Sequence, residues 1–276
     1  MRLAIYAHYG NSPQVAGHVL FYLRNLAELG FQICFVSNSE ITHASETSLK
    51  KICERVIVRE NTGMDFSMWQ RGMAEYELSQ FDELLLTNSS IIGPLQPLAL
   101  LWQNPGVADC DFWGLTDNDE LSNHLQSYFL VFRKQVLHSA RFRNFWQAVL
   151  PYKNKSQVIF SYELGLSNWL KEGGFTGKAV FAQKEIISRY RNGCSFWKRC
   201  RDYYLYLTHQ SRGRNTSVIF PDLLLQLGMP FLKTALLSES PSPMKPPVAF
   251  SILEKSSLSP EILEELRLEF PAVTEM

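Results

Sequence analysis

No charge of one sign predominates in this sequence: 27 lysines and arginines balance 27 aspartates and glutamates across 276 residues. Without a global field the chain has no general means of recruiting nucleic acid, and any basic surface it uses is local. Cysteine is scarce as well. The five, at positions 34, 53, 110, 194 and 200, are odd in number and include no Cys-x-x-Cys pair, which argues against a disulfide framework or a zinc site and suits reduced thiols. No apolar run approaches the roughly 18 residues that cross a bilayer, and the one at the N-terminus is too short for a signal peptide. No internal repeat is present. The expectation is one large domain in the cytoplasm, and with 46% hydrophobic residues it can bury a sizeable core.

What the chain has is alternation. Residues 3–7 read as a buried strand ending at His8, Tyr9, Gly10 and Asn11. Ser12 then suits an N-cap and Pro13 a first helical position, ahead of an apolar stripe of Val15, Val19, Leu20, Leu23, Leu26 and Ala27 that Gly30 stops. A second strand, 31–36, ends in Ser37, Asn38 and Ser39. A helix over 44–53 and a third strand over 55–58 lead to Arg59, Glu60, Asn61, Thr62, Gly63, Met64 and Asp65. Phe66, Trp69, Met73 and Tyr76 then recur at helical spacing before a fourth apolar run stops at Thr87, Asn88, Ser89 and Ser90.

Strand and helix alternating in this way predict an α/β fold, a mostly parallel central sheet flanked by helices. Such sheets bind ligands at the carboxyl ends of their strands, where all four polar clusters would lie. His8, Ser37, Asn38, Arg59, Asn61, Gly63, Asp65, Asn88, Ser89 and Ser90 are therefore the candidate binding edge. Gly63 permits a turn, Asp65 can cap the following helix, and Arg59 can pair with a phosphate beside free backbone N–H groups. A simpler reading stays open, in which Arg59 and Glu60 form a surface pair and Asp65 is only a cap.

Further along, residues 95–102 read as a short helix and 111–115 as a strand. Trp113 in that strand is either core or an aromatic face for a sugar. Residues 124–132 read as one strand, with His124, Gln126 and Tyr128 on one face and Leu125, Ser127 and Phe129 on the other. An amphipathic helix over 134–149 precedes one capped by Ser156, whose stripe is Val158, Ile159, Tyr162, Leu166, Trp169 and Leu170, with Glu163 beside it. Residues 189–206 mix basic and aromatic side chains, which suits docking on a membrane, a grip on diphosphate, or a basic solvent face. A short helix over 220–227 and a strand over 231–237 close the first unit, residues 1–238. Residues 239–276 are expected to be a Pro- and Ser-rich linker, unable to sustain helix or sheet, and then a helix capped by Ser259 that docks on the domain or on a second subunit.

Several blocks in order, RENTGMDFSMWQRGM, LLLTNSSIIGPL, DFWGLT, HLQSYFLVF and YELGL, followed by GGF and by PFLK, resemble the rhamnan synthesis protein F family of bacterial polysaccharide glycosyltransferases. The resemblance implies a GT-A-like nucleotide-sugar fold. It also implies a hexosyltransferase that moves a sugar, commonly rhamnose, from a nucleotide donor to an oligosaccharide or lipid-linked acceptor, for a cell-surface glycan such as lipopolysaccharide. The protein would then work in the cytoplasm, with peripheral contact at the inner face of the membrane.

By that resemblance Arg59, Asn61, Gly63 and Asp65 belong to the donor pocket, and His124, Gln126, Trp113 and Tyr162 to the acceptor side. Glu163 stands where related inverting enzymes carry the general base. The Asn88-Ser89-Ser90 loop stands where GT-A enzymes hold a divalent metal, Mg²⁺ or Mn²⁺, yet Ser89 replaces the expected Asp, and neutral ligands hold such an ion weakly. Asn88, Ser90, Asp65 and a late His209 are the candidate ligands. Three outcomes stay open: an ion held mainly by the diphosphate with help from Asp65 or Asp111, catalysis with protein cations such as Arg59, or a non-catalytic protein that binds sugar nucleotide, glycan or a partner transferase.

Overall fold

The computed structural model describes residues 1–119, 122–193, 215–238, 242 and 244–274. In chain order its strands are β1 (Arg2–His8), β2 (Phe31–Ser37), β3 (Arg55–Val58), β4 (Glu83–Asn88), β5 (Ile91–Ile92), β6 (Phe112–Asn118), β7 (His124–Leu125), β8 (Phe129–Arg133), β9 (Gly177–Phe181) and β10 (Leu232–Lys233). The central sheet runs β3-β2-β1-β4-β8-β6-β7, with β9 also on β6. The pairs among β1 to β4 are parallel, β6 pairs in parallel with β9, and β7 and β8 run antiparallel to their neighbours. The short β5 and β10 form a separate antiparallel ribbon.

Alternation along the strands sorts their side chains into two cores. Ala4, Tyr6, Ile33, Phe35, Leu85, Trp113, Leu115, Phe129 and Val131 face one side, under helix α1 (Gly17–Glu28). Leu3, Ile5, Cys34, Val36, Leu84, Leu86, Phe112, Leu130 and Phe132 face the other, under α3 (Met64–Met73) and α6 (Ala140–Gln147). A sheet covered on both faces has no solvent side. This overturns the reading of Trp113 as a sugar platform: its ring is wholly buried and packs edge-on against Trp102.

Helix α1 begins at Gly17, four residues later than the sequence suggests, and Ala16 rather than Ser12 occupies its N-cap position. Ser12 accepts a local bond from the Gln14 N–H, and the Pro13 carbonyl is taken by the N–H of Thr42, so no helical turn can close there. Gly17 N–H instead donates to Oε2 of Glu265, at 2.6 Å, on the C-terminal helix Pro260–Glu269. That helix therefore docks on the domain, supplying from 248 residues away the cap that the local sequence does not.

Removing this charge-assisted cap by Glu265→Ala is expected to cost about 1 kcal/mol, seen in guanidinium unfolding as a lowered midpoint with an unchanged slope. The Pro-rich stretch also departs from expectation. Pro246 and Pro247 open a helix, Pro246–Glu254, at the positions where a missing N–H goes unnoticed. Met244, Ala249, Phe250 and Leu253 share a third core with Ile92, Val218, Leu232 and Leu236. The strand expected over 231–237 is reduced to β10 and a 3₁₀ turn, Thr234–Leu236.

The helix expected to start at Ser156 is three pieces. Asn154 caps α7 (Lys155–Val158) through bonds from the N–H groups of Ser156 and Gln157, a π-helical stretch covers Ile159–Leu164, and α8 (Gly165–Glu172) follows. The wider π turn breaks the 3.6-residue phase. Ile159 and Trp169 of the expected stripe are left exposed, together with Phe160, while Tyr162 and Leu166 stay in the core. Among the described residues no helix is long and apolar enough to cross a membrane.

Candidate functional site

Because β1 to β4 are parallel, His8, Ser37, Val58 and Asn88 end on one edge, and the loops after them gather there. A cavity of about 420 Å³ opens on this edge. His8, Tyr9, Gly10 and Ser89 line it from the strand ends, His18 and Val19 from α1, and Thr234, Glu265 and Glu269 from the C-terminal part of the chain.

His8 is held by Ser37, whose hydroxyl donates to the carbonyl of Ser39. The 3.0 Å contact between His8 Nδ1 and that hydroxyl is therefore a bond donated by the ring, which fixes the tautomer and leaves Nε2 as an acceptor. Burial pushes His8 and His18 down to about 4, so both are neutral at pH 7. Ser37 itself is fully buried and serves as a prop for His8, not as a donor contact.

The loop after β3 reaches α3 through Gly63, which is left-handed at φ 76° and is the N-cap residue. Asp65 is consequently not the cap but lies in the first helical turn, where its carboxylate accepts from Asn88 Nδ2 at 2.8 Å. Burial pushes Asp65 up to about 6, against the pull of the Asn88 bond and the Lys233 charge. Arg59 donates to the Thr62 hydroxyl, and Asn38 donates to Asn61. Arg59 and Asn61 follow β3, three strands from β4, so at ~4.8 Å per strand they begin roughly 14 Å from the Ser89 loop. They do not line the cavity.

The loop after β4 is closed on itself. Asn88 Oδ1 accepts from both the N–H and the hydroxyl of Ser90, and Ser89 exchanges bonds with the backbone N–H and carbonyl of Tyr9. Lys233, projecting from β10, donates to Ser90 Oγ at 3.1 Å, and its ammonium lies 3.5 Å from the centre of the Tyr128 ring. These groups do not make a divalent-cation site. Their oxygens are neutral and already shared, Asp65 is the lone carboxylate among the candidates, and an ammonium stands beside them. Asp111 cannot help: it precedes β6 at the opposite end of the sheet and accepts from the N–H and hydroxyl of Thr176. His209 and residues 194–206 lie outside the described residues, as does most of the stretch expected to dock on a membrane.

Behind Lys233 the π-helical stretch turns Glu163 toward β7. Glu163 accepts from the Ser127 hydroxyl, and its Oε1 lies 3.5 Å from His124 Nε2. His124 Nδ1 donates to the carbonyl of Ser122, so Nε2 is the nitrogen that faces Glu163, and a proton there completes an ion pair. Burial opposes both charges. The bond and charge of Glu163 outweigh it and hold His124 above its ordinary value, while His124, Ser127 and Lys233 hold Glu163 below the ordinary glutamate range.

The chain turns after β7, which resets the alternation and lets Ser127 join His124 at Glu163. Gln126 instead accepts from the buried Thr116 hydroxyl, which also contacts Tyr128. Tyr162 is a core residue: its hydroxyl is committed to the backbone of Leu150 and its ring stacks on Tyr152, which removes it from the acceptor side. Ser127 and Lys233 are site residues that sequence reasoning passes over, as are His18, Thr234, Glu265 and Glu269 of the cavity lining. Lys233 ends the PFLK block, the one signal that pointed toward it.

The sequence model of rhamnan synthesis protein F matches residues 33–199, more than half of the chain; the match includes Asp65, Asn88, Ser89, Ser90, His124, Ser127 and Glu163, while β1, Lys233 and most of the cavity lining lie outside it. The chain belongs to the rhamnan synthesis protein F family. Two curated proteins are similar over much of it. Virulence protein VirA of Vibrio anguillarum is 27% identical over 207 residues, 71% of this chain and 66% of VirA. Protein y4gN of Sinorhizobium fredii is 26% identical over 176 residues, 62% of this chain and 46% of y4gN. The chain thus spans about half to two thirds of the length of these relatives. Among solved structures, the glycosyltransferase GlyE of Streptococcus pneumoniae superposes with a TM-score of 0.50 at 11% identity, over 100% of this chain and 66% of GlyE. The fold of this rhamnan synthesis protein F member is GT-A-like.

Proposed function

We propose that this protein transfers a sugar, L-rhamnose being the first choice from the family, from a nucleoside diphosphate to an acceptor hydroxyl of a growing cell-surface polysaccharide. The observation that carries the reading is Glu163, a partly buried carboxylate that is kept ionised by His124 and Ser127 and whose charge bears on Asp65 and Lys233. In this reading the nucleotide occupies the cavity between His8, Ser89 and α1. The acceptor approaches from the Glu163 side, and His124 sets the orientation and charge of the base.

Glu163 takes the acceptor proton as the oxygen attacks the anomeric carbon and the diphosphate leaves from the opposite face, so the configuration inverts. The work is done at the cytoplasmic face of the membrane, where lipid-linked acceptors are extended. Calorimetric titration with sugar nucleotides of uridine, thymidine, guanosine and cytidine tests this. One sugar nucleotide is expected to bind in the micromolar range typical of enzyme substrates, on the order of 1 μM to 1 mM. Silence across the whole panel would overturn the reading and favour a role in binding glycan or a partner protein.

A further inference from the structure

Among the described residues no cation lines the candidate donor cavity. His8 and His18 are neutral, and the charged side chains in its lining are the acids Glu265 and Glu269. A diphosphate arriving there needs positive charge, and the loop after β4 is too neutral and too committed to hold a metal ion. Lys233 stands at the boundary. Its neighbour Thr234 and Ser89, the neighbour of its partner Ser90, both line the cavity, while its charge bears on Asp65 and Glu163 on the inner side. Among the described residues one of its three N–H donors goes to Ser90 Oγ, and the Tyr128 ring lies under the ammonium. Donor capacity remains for a ligand oxygen.

We infer that the Lys233 ammonium is the cation that receives the donor diphosphate, standing in the sheet edge where a divalent ion would otherwise be held. The inference rests on the transfer reading and deepens it. As the bond from the anomeric carbon to the phosphate oxygen breaks, its electron pair stays on the diphosphate. Lys233 stabilises the resulting charge through N–H donation, the acceptor oxygen forms the new bond to carbon, and its proton passes to Glu163. Tyr128 and Ser90 aim the ammonium, and Asp65 and Glu163 balance it before the donor arrives. Among the described residues Lys155 is a cation whose charge reaches Lys233, and it works against protonation there. Burial, the largest influence, brings Lys233 down to about 7, so an incoming diphosphate also completes its protonation.

The test is calorimetry of the full chain with UDP, dTDP and GDP, each in EDTA and again in Mn²⁺, followed by Lys233→Met with the diphosphate that binds and with its parent nucleoside. Wild-type affinity is expected to be the same within about threefold in EDTA and Mn²⁺, and Lys233→Met to weaken the diphosphate about 10- to 100-fold, the worth of a hydrogen bond to a charged group, while leaving the nucleoside unchanged. Wild-type binding that appears only with Mn²⁺ would overturn the inference and leave the transfer reading standing. Unchanged diphosphate affinity in Lys233→Met would overturn it too. No nucleotide bound by the wild type under either condition would remove the transfer reading itself. The wild-type comparison needs no variant, so a poorly folding Lys233→Met leaves the inference testable.

Discussion

Glu163→Gln is expected to lower sugar transfer about 10²- to 10⁴-fold, the usual contribution of a positioned general base, and to weaken donor affinity much less. The variant is close to isosteric and keeps its surroundings. The amide oxygen still accepts from Ser127. Unprotonated His124 Nε2 can accept from the new amide N–H. The capacity to take a proton disappears, and with it a negative charge that favours protonation of Lys233. The wild-type pH profile supplies an independent check. A base must be ionised, so the rate should fall as the pH drops through the Glu163 pKa, at a pH below the ordinary glutamate range because of His124 and Ser127. That acid limb should be missing from the residual activity of Glu163→Gln. Steady-state rates across pH, with binding measured separately, distinguish this from damage to the donor cavity. An unaltered turnover would remove Glu163 from the chemistry.

The largest stability effect is expected at Gly63. Its φ of 76° is left-handed, and an added Cβ would come within 2.0 Å of Ser67 Oγ and 2.6 Å of the Pro151 Cα. Ser67 can swing aside, since no partner holds its hydroxyl among the described residues, but the Pro151 backbone cannot. Gly63→Ala should therefore destabilise the protein by about 3 kcal/mol or more, combining left-handed strain with a backbone clash. Chemical unfolding followed by tryptophan fluorescence reads this directly, because Trp69 and Trp146 lie in the core that α3 and α6 share. A loss under about 1 kcal/mol would mean that the loop relaxes, and Asp65 would then move away from Asn88.

Much of the sheet could be read from residue order because its information is local. The runs through Leu3, Ile33 and Val56 alternate or stay apolar, and each stops in a polar cluster at the same edge, so strand sense and ligand edge follow together. The features that escape reading depend on contacts the local sequence does not encode. Trp113 sits in a strand whose both faces are covered, which no single strand declares. Ser127 joins Glu163 because the chain turns after two residues of β7, and the π stretch that aims Glu163 looks like ordinary helix by pattern. Lys233 reaches Ser90 through the pairing of β10 with β5, in the register Lys233 to Ile91. Glu163 became a candidate through the family blocks, not through spacing.

The bond from Gly17 to Glu265 also sets an order of events during synthesis. At ~5 to 20 residues per second, roughly 12 to 50 s separate the emergence of the two partners from the ribosome. Throughout that interval α1 is made but its first turn is uncapped, and one wall of the cavity does not yet exist. A nascent chain can assemble β1 to β4 early, yet it becomes able to enclose a ligand only after Glu265 and Glu269 have arrived. Ligand capture is therefore a late milestone in the life of each molecule, reached after the sheet that supports it.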